Sequence, residues 1–193
     1  MQIGLYFGSF NPVHIGHCII ASHFVQNTNL DKIWMVVSPQ NPFKESSGLL
    51  NEYHRLHLVK LATGDESNIK ASDIEFHLPR PSYTIDTLTY LREKYPEHEF
   101  SIVLGSDGLQ NLHKWKNAAV LVKEYRFIVY KRPGFEITNT LHARMEIADA
   151  PLLEISSTHI REMIKQGKSI RYLVPDKVRE EIELYHYYSW IHL

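Results

Sequence analysis

Gly8-Ser9-Phe10-Asn11-Pro12-Val13-His14-Ile15-Gly16-His17 follows directly on the apolar run Ile3-Gly4-Leu5-Tyr6-Phe7. A short apolar run closed by Gly-Ser reads as a buried strand. Gly8 permits a sharp exit from it, and Asn11-Pro12 marks a turn. Ile15, Cys18, Ile19, Ser22 and Val25 then recur at helical spacing as far as Asn27. The helix therefore begins near His14, with its unpaired N–H groups and positive dipole end facing back toward the strand terminus. That is an anion site. His14 and His17 are three apart and project from one side of the first turn, with Gly16 leaving the backbone between them open to a ligand. Two imidazoles and a helix N-terminus aimed the same way suit a polyphosphate. Helical zinc ligands more often stand at i, i+4 with a third ligand nearby, and no protein metal-ligand set is read here. Among twelve histidines most must be structural, so the pair gains its meaning from this strand-to-helix context.

The rest of the chain repeats the alternation. Lys32–Val37 is a second strand, followed by a polar loop over about 39–50 and a helix capped by Asn51. Ile69–Phe76 reads as extended. Ser82–Tyr95 reads as a helix stopped by Pro96. Phe100–Leu104 is a strand ended by Gly105, with short helical pieces around Leu109 and Val120. Arg126–Tyr130 and residues 152–155 are further strands. Thr158–Gln166 is a helix closed by Gly167, and Pro175 opens a last one as its first residue. Strands alternating with helices imply an α/β fold, a Rossmann-like doubly wound parallel sheet with helices on both faces. Such sheets bind ligands beyond the carboxyl ends of their strands. One domain over 1–188 and a tail over 189–193 account for the chain.

Composition agrees with this and narrows the partners. The chain has 193 residues, 22% charged and 44% hydrophobic, with a net charge of −1. One domain with a sizeable core is the natural organisation. A neutral chain without a basic stripe argues against nucleic acid. The lone Cys18 cannot form an internal bridge, so a cytoplasmic setting is expected. No Lys, Arg, Asp or Glu precedes Asp31, yet Asn11, Pro12, His14 and His17 interrupt the apolar residues. An export signal needs a charged start and an unbroken apolar stretch, and no membrane span is present. A homo-oligomer is compatible with the sequence.

A second group of phosphate-directed residues stands at Ile155-Ser156-Ser157-Thr158-His159-Ile160-Arg161. Ser157 or Thr158 can cap the helix that starts there, and Arg161 offers planar donors suited to phosphate. Taken together, the two motifs resemble the nucleotidyltransferase signatures GxFxPxHxGH and SSTxIR. Nearly the whole chain is similar to bacterial nicotinate-nucleotide adenylyltransferases. One departure is Asn11, where many members carry Asp; the turn chemistry is kept and a negative charge is lost.

The resemblance implies adenylyl transfer from ATP to nicotinate mononucleotide, giving nicotinate adenine dinucleotide and pyrophosphate. It implies roles for His14, His17 and Arg161 on the phosphates. Gly8, Ser9, Phe10, Gly16, Lys44, Arg132, Ser156, Ser157 and Thr158 would complete the ATP site. It also implies that backbone amides around Tyr83 and Thr84 receive the pyridine carboxylate. Gly105, Asp107 and Trp115 would hold the rest of the acceptor: Asp107 can accept from a ribose hydroxyl, and Trp115 offers a face for stacking. Mg²⁺ would be held chiefly by ATP phosphates and water, because no dense carboxylate cluster is present. A phosphopantetheine adenylyltransferase would share both phosphate motifs but not the Tyr83-Thr84 loop or Trp115. A catalytically silent nucleotide sensor is a rival of another class, and the completeness of both motifs weighs against it.

Overall fold

The computed structural model describes residues 1–40, 48–139, 141–151 and 153–189. Its strands are β1 (Gln2–Gly8), β2 (Lys32–Val37), β3 (Ile69–Ser72), β4 (Glu99–Gly105), β5 (Arg126–Tyr130) and β6 (Met145–Ala148). Its helices are α1 (Ile15–Asn27), α2 (Glu52–Thr63), α3 (Thr84–Lys94), α4 (Ser106–Gln110), α5 (Ala118–Glu124), α6 (Ser157–Lys165) and α7 (Asp176–Leu184). Side chains alternate between the two faces of a strand, and here both faces are apolar. Along β2, Ile33, Met35 and Val37 enter one core while Trp34 and Val36 enter the other. Ile3 and Leu5 of β1, Phe100, Ile102 and Leu104 of β4, and Phe127 and Val129 of β5 share the second core. A strand buried on both faces is what a parallel sheet between two helical layers requires.

The six strands pair in parallel in the order β3-β2-β1-β4-β5-β6. The direction of winding reverses between β1 and β4. A doubly wound sheet opens a crevice at such a switch point. Helices α1, α2, α6 and α7 pack on one face through residues such as Phe24, Leu58, Ile160 and Val178. Helices α3, α4 and α5 cover the other through Leu88, Leu109 and Leu121. No helix among the described residues is long and apolar enough to cross a membrane.

Three elements differ from their sequence reading. The last strand is Met145–Ala148, whereas Leu153–Ile155 is irregular and Leu152 lies outside the described residues. β6 is an edge strand bonded only to β5. Its pairing is a backbone matter, so half its side chains stay wet and Ile147 is 58% exposed. The extended reading of 69–76 holds only to Ser72. Ser72 Oγ then accepts from the Ile74 amide, and residues 74–77 coil into a 3₁₀ turn. Pro175 is the N-cap of α7 rather than its first residue.

Among the described residues one charged side chain is entirely buried. Arg55 of α2 is 0% exposed, and it donates to four backbone carbonyls. Nε reaches Leu50 O at 2.7 Å, Nη1 reaches Ser9 O at 2.7 Å and Ser38 O at 2.8 Å, and Nη2 reaches Pro39 O at 2.9 Å. Carbonyl dipoles from three chain segments thus take over the hydration of one guanidinium. Each buried acceptor left without a donor costs roughly 1–3 kcal/mol. Arg55→Met should therefore lower the unfolding free energy by at least about 3 kcal/mol on that same scale, measured by equilibrium urea denaturation. A loss under about 1 kcal/mol would show that the four carbonyls do not depend on it.

Candidate active site

A cleft of about 950 Å³ opens at the carboxyl ends of β1 and β4. Gly8, Ser9, Phe10, His14, Gly16 and His17 line it from the β1–α1 turn. Ser156, Ser157, Thr158 and Arg161 line it from the start of α6. Tyr83, Thr84, Gly105, Asp107, Trp115 and Arg132 complete the wall. Every residue singled out from the sequence therefore meets in one place, except Lys44, which lies outside the described residues. The phosphate-directed groups come from helices on one face of the sheet. The Tyr83-Thr84 loop comes from the other.

The β1–α1 turn is built differently from its sequence reading. Gly8 ends the strand without a left-handed backbone; the residue in that region is Phe10, at φ 47°. What Gly8 provides is room, since a Cβ there would stand 2.8 Å from the Phe10 ring. The Phe10 ring is 2% exposed and meets the His17 ring edge-on at 5.0 Å. Asn11 fastens the turn to the next loop in both directions: its Nδ2 donates to Gly48 O at 3.0 Å, and its Oδ1 accepts from Leu50 N at 3.1 Å. An Asp could make only the second bond, so Asn here holds a loop that a carboxylate would repel.

His14 is the N-cap of α1 and His17 its third residue. Their rings stack at 3.6 Å with 26° between planes. The His14 amide donates to His17 Nδ1 at 3.2 Å. In the neutral imidazole that bond leaves the proton on Nε2, on the opposite side of the ring. Burial, helped by the charge of Arg132, pulls the His14 pKa down to about 4. Two charged imidazoles in a stack would also repel, so His14 is neutral at pH 7. Gly16 lies between them, and a Cβ would come 3.0 Å from His14 Nδ1. The Ile15 amide is spent on Leu173 O at 2.9 Å. Gly16, second in the helix, has no intrahelical acceptor for its N–H and lines the cleft. No acidic residue stands in this first turn.

At the start of α6 the cap is Ser156, one residue earlier than expected; its Oγ accepts from His159 N at 3.2 Å. Ser157 Oγ is thereby released to donate to Pro12 O at 2.8 Å. Arg161 Nη1 donates to Asn11 O at 2.7 Å. The two motifs, about 150 residues apart in sequence, are thus bonded to each other. Arg132 and Asp107, read separately from the sequence, form an ion pair at 2.9 Å.

Several lining groups escaped the sequence reading. Tyr6 and Tyr130 share a hydroxyl contact at 3.2 Å, and burial raises the pKa of both. Lys116 pairs with Asp86 at 2.7 Å and lies 4.7 Å from the Tyr83 ring. Glu75 is 2% exposed and lies against the Ser82–Thr84 loop. Among the described residues no three His, Cys, Asp or Glu side chains gather to hold a metal.

The cytidylyltransferase-like family profile matches residues 5–163. A protein described as a probable nicotinate-nucleotide adenylyltransferase from Flavobacterium johnsoniae is 51% identical, over 98% of this chain and 100% of its own. A protein of the same description from Flavobacterium psychrophilum is 50% identical over 98% of this chain and 100% of its own. The chain belongs to the nicotinate-nucleotide adenylyltransferase family. Among solved structures, a Plasmodium falciparum nicotinic acid mononucleotide adenylyltransferase complexed with NaAD superposes with a TM-score of 0.80. It is 25% identical and covers 97% of each chain. The expected doubly wound fold is therefore the family's own.

The depressed His14 pKa has a consequence for stability. Between about 4 and the unfolded value of 6.5, the unfolded chain binds the proton and the native one does not. The unfolding free energy then rises with pH across that window and levels off above it. Denaturation profiles over pH should show this rise, and it should be absent in His14→Asn. An NMR titration placing the His14 midpoint near 6.5 would contradict the assignment.

Proposed function

We propose that the protein transfers the adenylyl group of ATP to nicotinate mononucleotide, releasing nicotinate adenine dinucleotide and pyrophosphate. The observation that carries this reading is the union of two phosphate-directed helix starts with the Tyr83-Thr84 loop in one cleft. A phosphate oxygen of the mononucleotide attacks the α-phosphorus of ATP. A new P–O bond forms as the bond to the β-phosphate oxygen breaks, and pyrophosphate leaves. No group on the protein need become covalently attached, so positioning and charge stabilisation account for the rate.

The residues divide that work by their bonds. His17 presents its Nε2 proton to the phosphates because its Nδ1 is occupied by the His14 amide. Arg161 and the Gly16 N–H face the same region, with the α1 dipole behind them. Neutral His14 offers a hydrogen bond without adding a charge. The Arg132–Asp107 pair borders the nucleoside end, where Asp107 can accept from a ribose hydroxyl. Trp115 is half-buried at the cleft wall and can stack on the pyridine ring. The N–H groups opening α3 take its carboxylate. Magnesium carried by ATP would neutralise part of the triphosphate charge. With no cluster of ligands among the described residues, it would ride on the substrate and water.

Pyrophosphate release with ATP and either nicotinate or nicotinamide mononucleotide tests the reading. The acid should be the faster acceptor, and a clear preference for the amide would reject the assignment. Removing one positioned donor typically costs about 10²–10³ in turnover. His17→Ala should fall in that range with its thermal midpoint retained; near-normal turnover would remove His17 from the mechanism.

A further inference from the structure

Glu75 has no part in the chemistry just described, yet it is among the most deeply buried charged side chains of the fold. It stands in the 3₁₀ turn after β3, behind the loop that opens α3. Its carboxylate receives hydroxyl donors from both ends of one short segment. Ser82 Oγ reaches Oε2 at 2.8 Å, and Thr87 Oγ1 reaches Oε1 at 3.0 Å. Ser38, at the end of β2, supplies a third hydroxyl. Between Ser82 and Thr87 lie Tyr83, Thr84, Ile85 and Asp86. Thr84 and Ile85 are the first residues of α3, where N–H groups have no intrahelical acceptor. One carboxylate therefore grips the residue before the N-cap and the residue that closes the first turn. What it holds between them is the backbone that opens α3, of which Tyr83 and Thr84 line the cleft.

We propose that Glu75 is a positioning residue that sets acceptor selectivity, by fixing the Tyr83–Ile85 amides in the geometry that receives a carboxylate rather than a carboxamide. This rests on the acceptor site described under Proposed function. A carboxylate uses two N–H donors at once, so their spacing and angle matter to it. A carboxamide offers one acceptor oxygen and is less sensitive to both. Burial raises the Glu75 pKa against the pull of Ser82, Ser38 and Thr87, as expected for a group kept for its bonds rather than its solvation. The sign of the effect separates positioning from simple charge. As a bare negative charge, Glu75 would oppose an anionic acceptor, and its removal would strengthen the preference for the acid. As a clamp, its removal weakens that preference.

Glu75→Gln removes the charge and keeps the shape; Ser82→Ala removes one of the two grips while Glu75 remains. For each full-length variant, kcat/KM is measured with nicotinate and with nicotinamide mononucleotide, together with KM for ATP. Misaligning one charge-assisted hydrogen bond is worth about tenfold. The acid-to-amide ratio should therefore drop by about that factor in both variants, with KM for ATP within about twofold of the parent. An unchanged or higher ratio overturns the proposal, whatever happens to thermal stability. A purely structural role would lower both acceptors together and leave the ratio where it was. If Glu75→Gln does not fold, Ser82→Ala alone decides. Should the parent enzyme fail to use nicotinate mononucleotide at all, the acceptor reading itself falls, and this inference with it.

Discussion

The active-site architecture depends on one buried cation. Among the described residues no carboxylate forms an ion pair with Arg55; four carbonyls from the turn after β1, the end of β2 and the entry to α2 receive its guanidinium. Such a charge is tolerated only where its solvation has been replaced by fixed dipoles. The replacement works in both directions, because the same bonds hold three irregular segments at one distance from each other. Ser38 is the meeting point. Its carbonyl is bound by Arg55, and its hydroxyl serves Glu75. A buried cation and a buried anion thus grip one residue at the carboxyl end of β2, linking the phosphate turn to the loop that opens α3.

The doubly wound sheet explains why so much chemistry fits in one cleft. The order of strands brings the ends of β1 and β4 together while their following helices diverge to opposite faces. The groups proposed for the triphosphate descend from α1 and α6, and those proposed for the acceptor from α3 and the segment after β4. Neither set needs to reach across the sheet. A neutral chain can serve strongly anionic ligands because the charge balance is local. The first turn of α1 has no acidic side chain, and the carboxylates that line the cleft among the described residues are already engaged: Asp107 by Arg132 and Glu75 by hydroxyls.

What the sequence made legible divides along physical lines. The buried strands β1, β2, β4 and β5 announced themselves, because a strand covered on both faces must be continuously apolar. The edge strand β6 did not. Its side chains Glu146 and Ile147 look like loop residues, and Glu146 pairs with Arg126 on the neighbouring strand. The His14–His17 pair and the cluster from Ser156 to Arg161 were legible because each sits where a strand or loop gives way to a helix. Their mutual bonds, Ser157 to Pro12 and Arg161 to Asn11, were not, since spacing along the chain says nothing of contacts so distant. Arg55 and Glu75 escaped for a common reason. A charged residue on an amphipathic helix or beside a strand is usually solvated, and only the tertiary fold supplies the carbonyls and hydroxyls that reverse this.

The dependence of the first motif on the last part of the chain carries a consequence for biosynthesis. Helix α1 takes a carbonyl from Leu173 on its first amide, and the turn before it is held by Ser157 and Arg161. The histidine motif is translated about 150 residues ahead of these supports. Contacts of such sequence separation form late, because closing the intervening chain is entropically costly. The nascent polypeptide therefore carries an unfinished nucleotide site throughout the synthesis of that stretch. It becomes competent for its anionic ligands only once the α6–α7 connection has been released and docked.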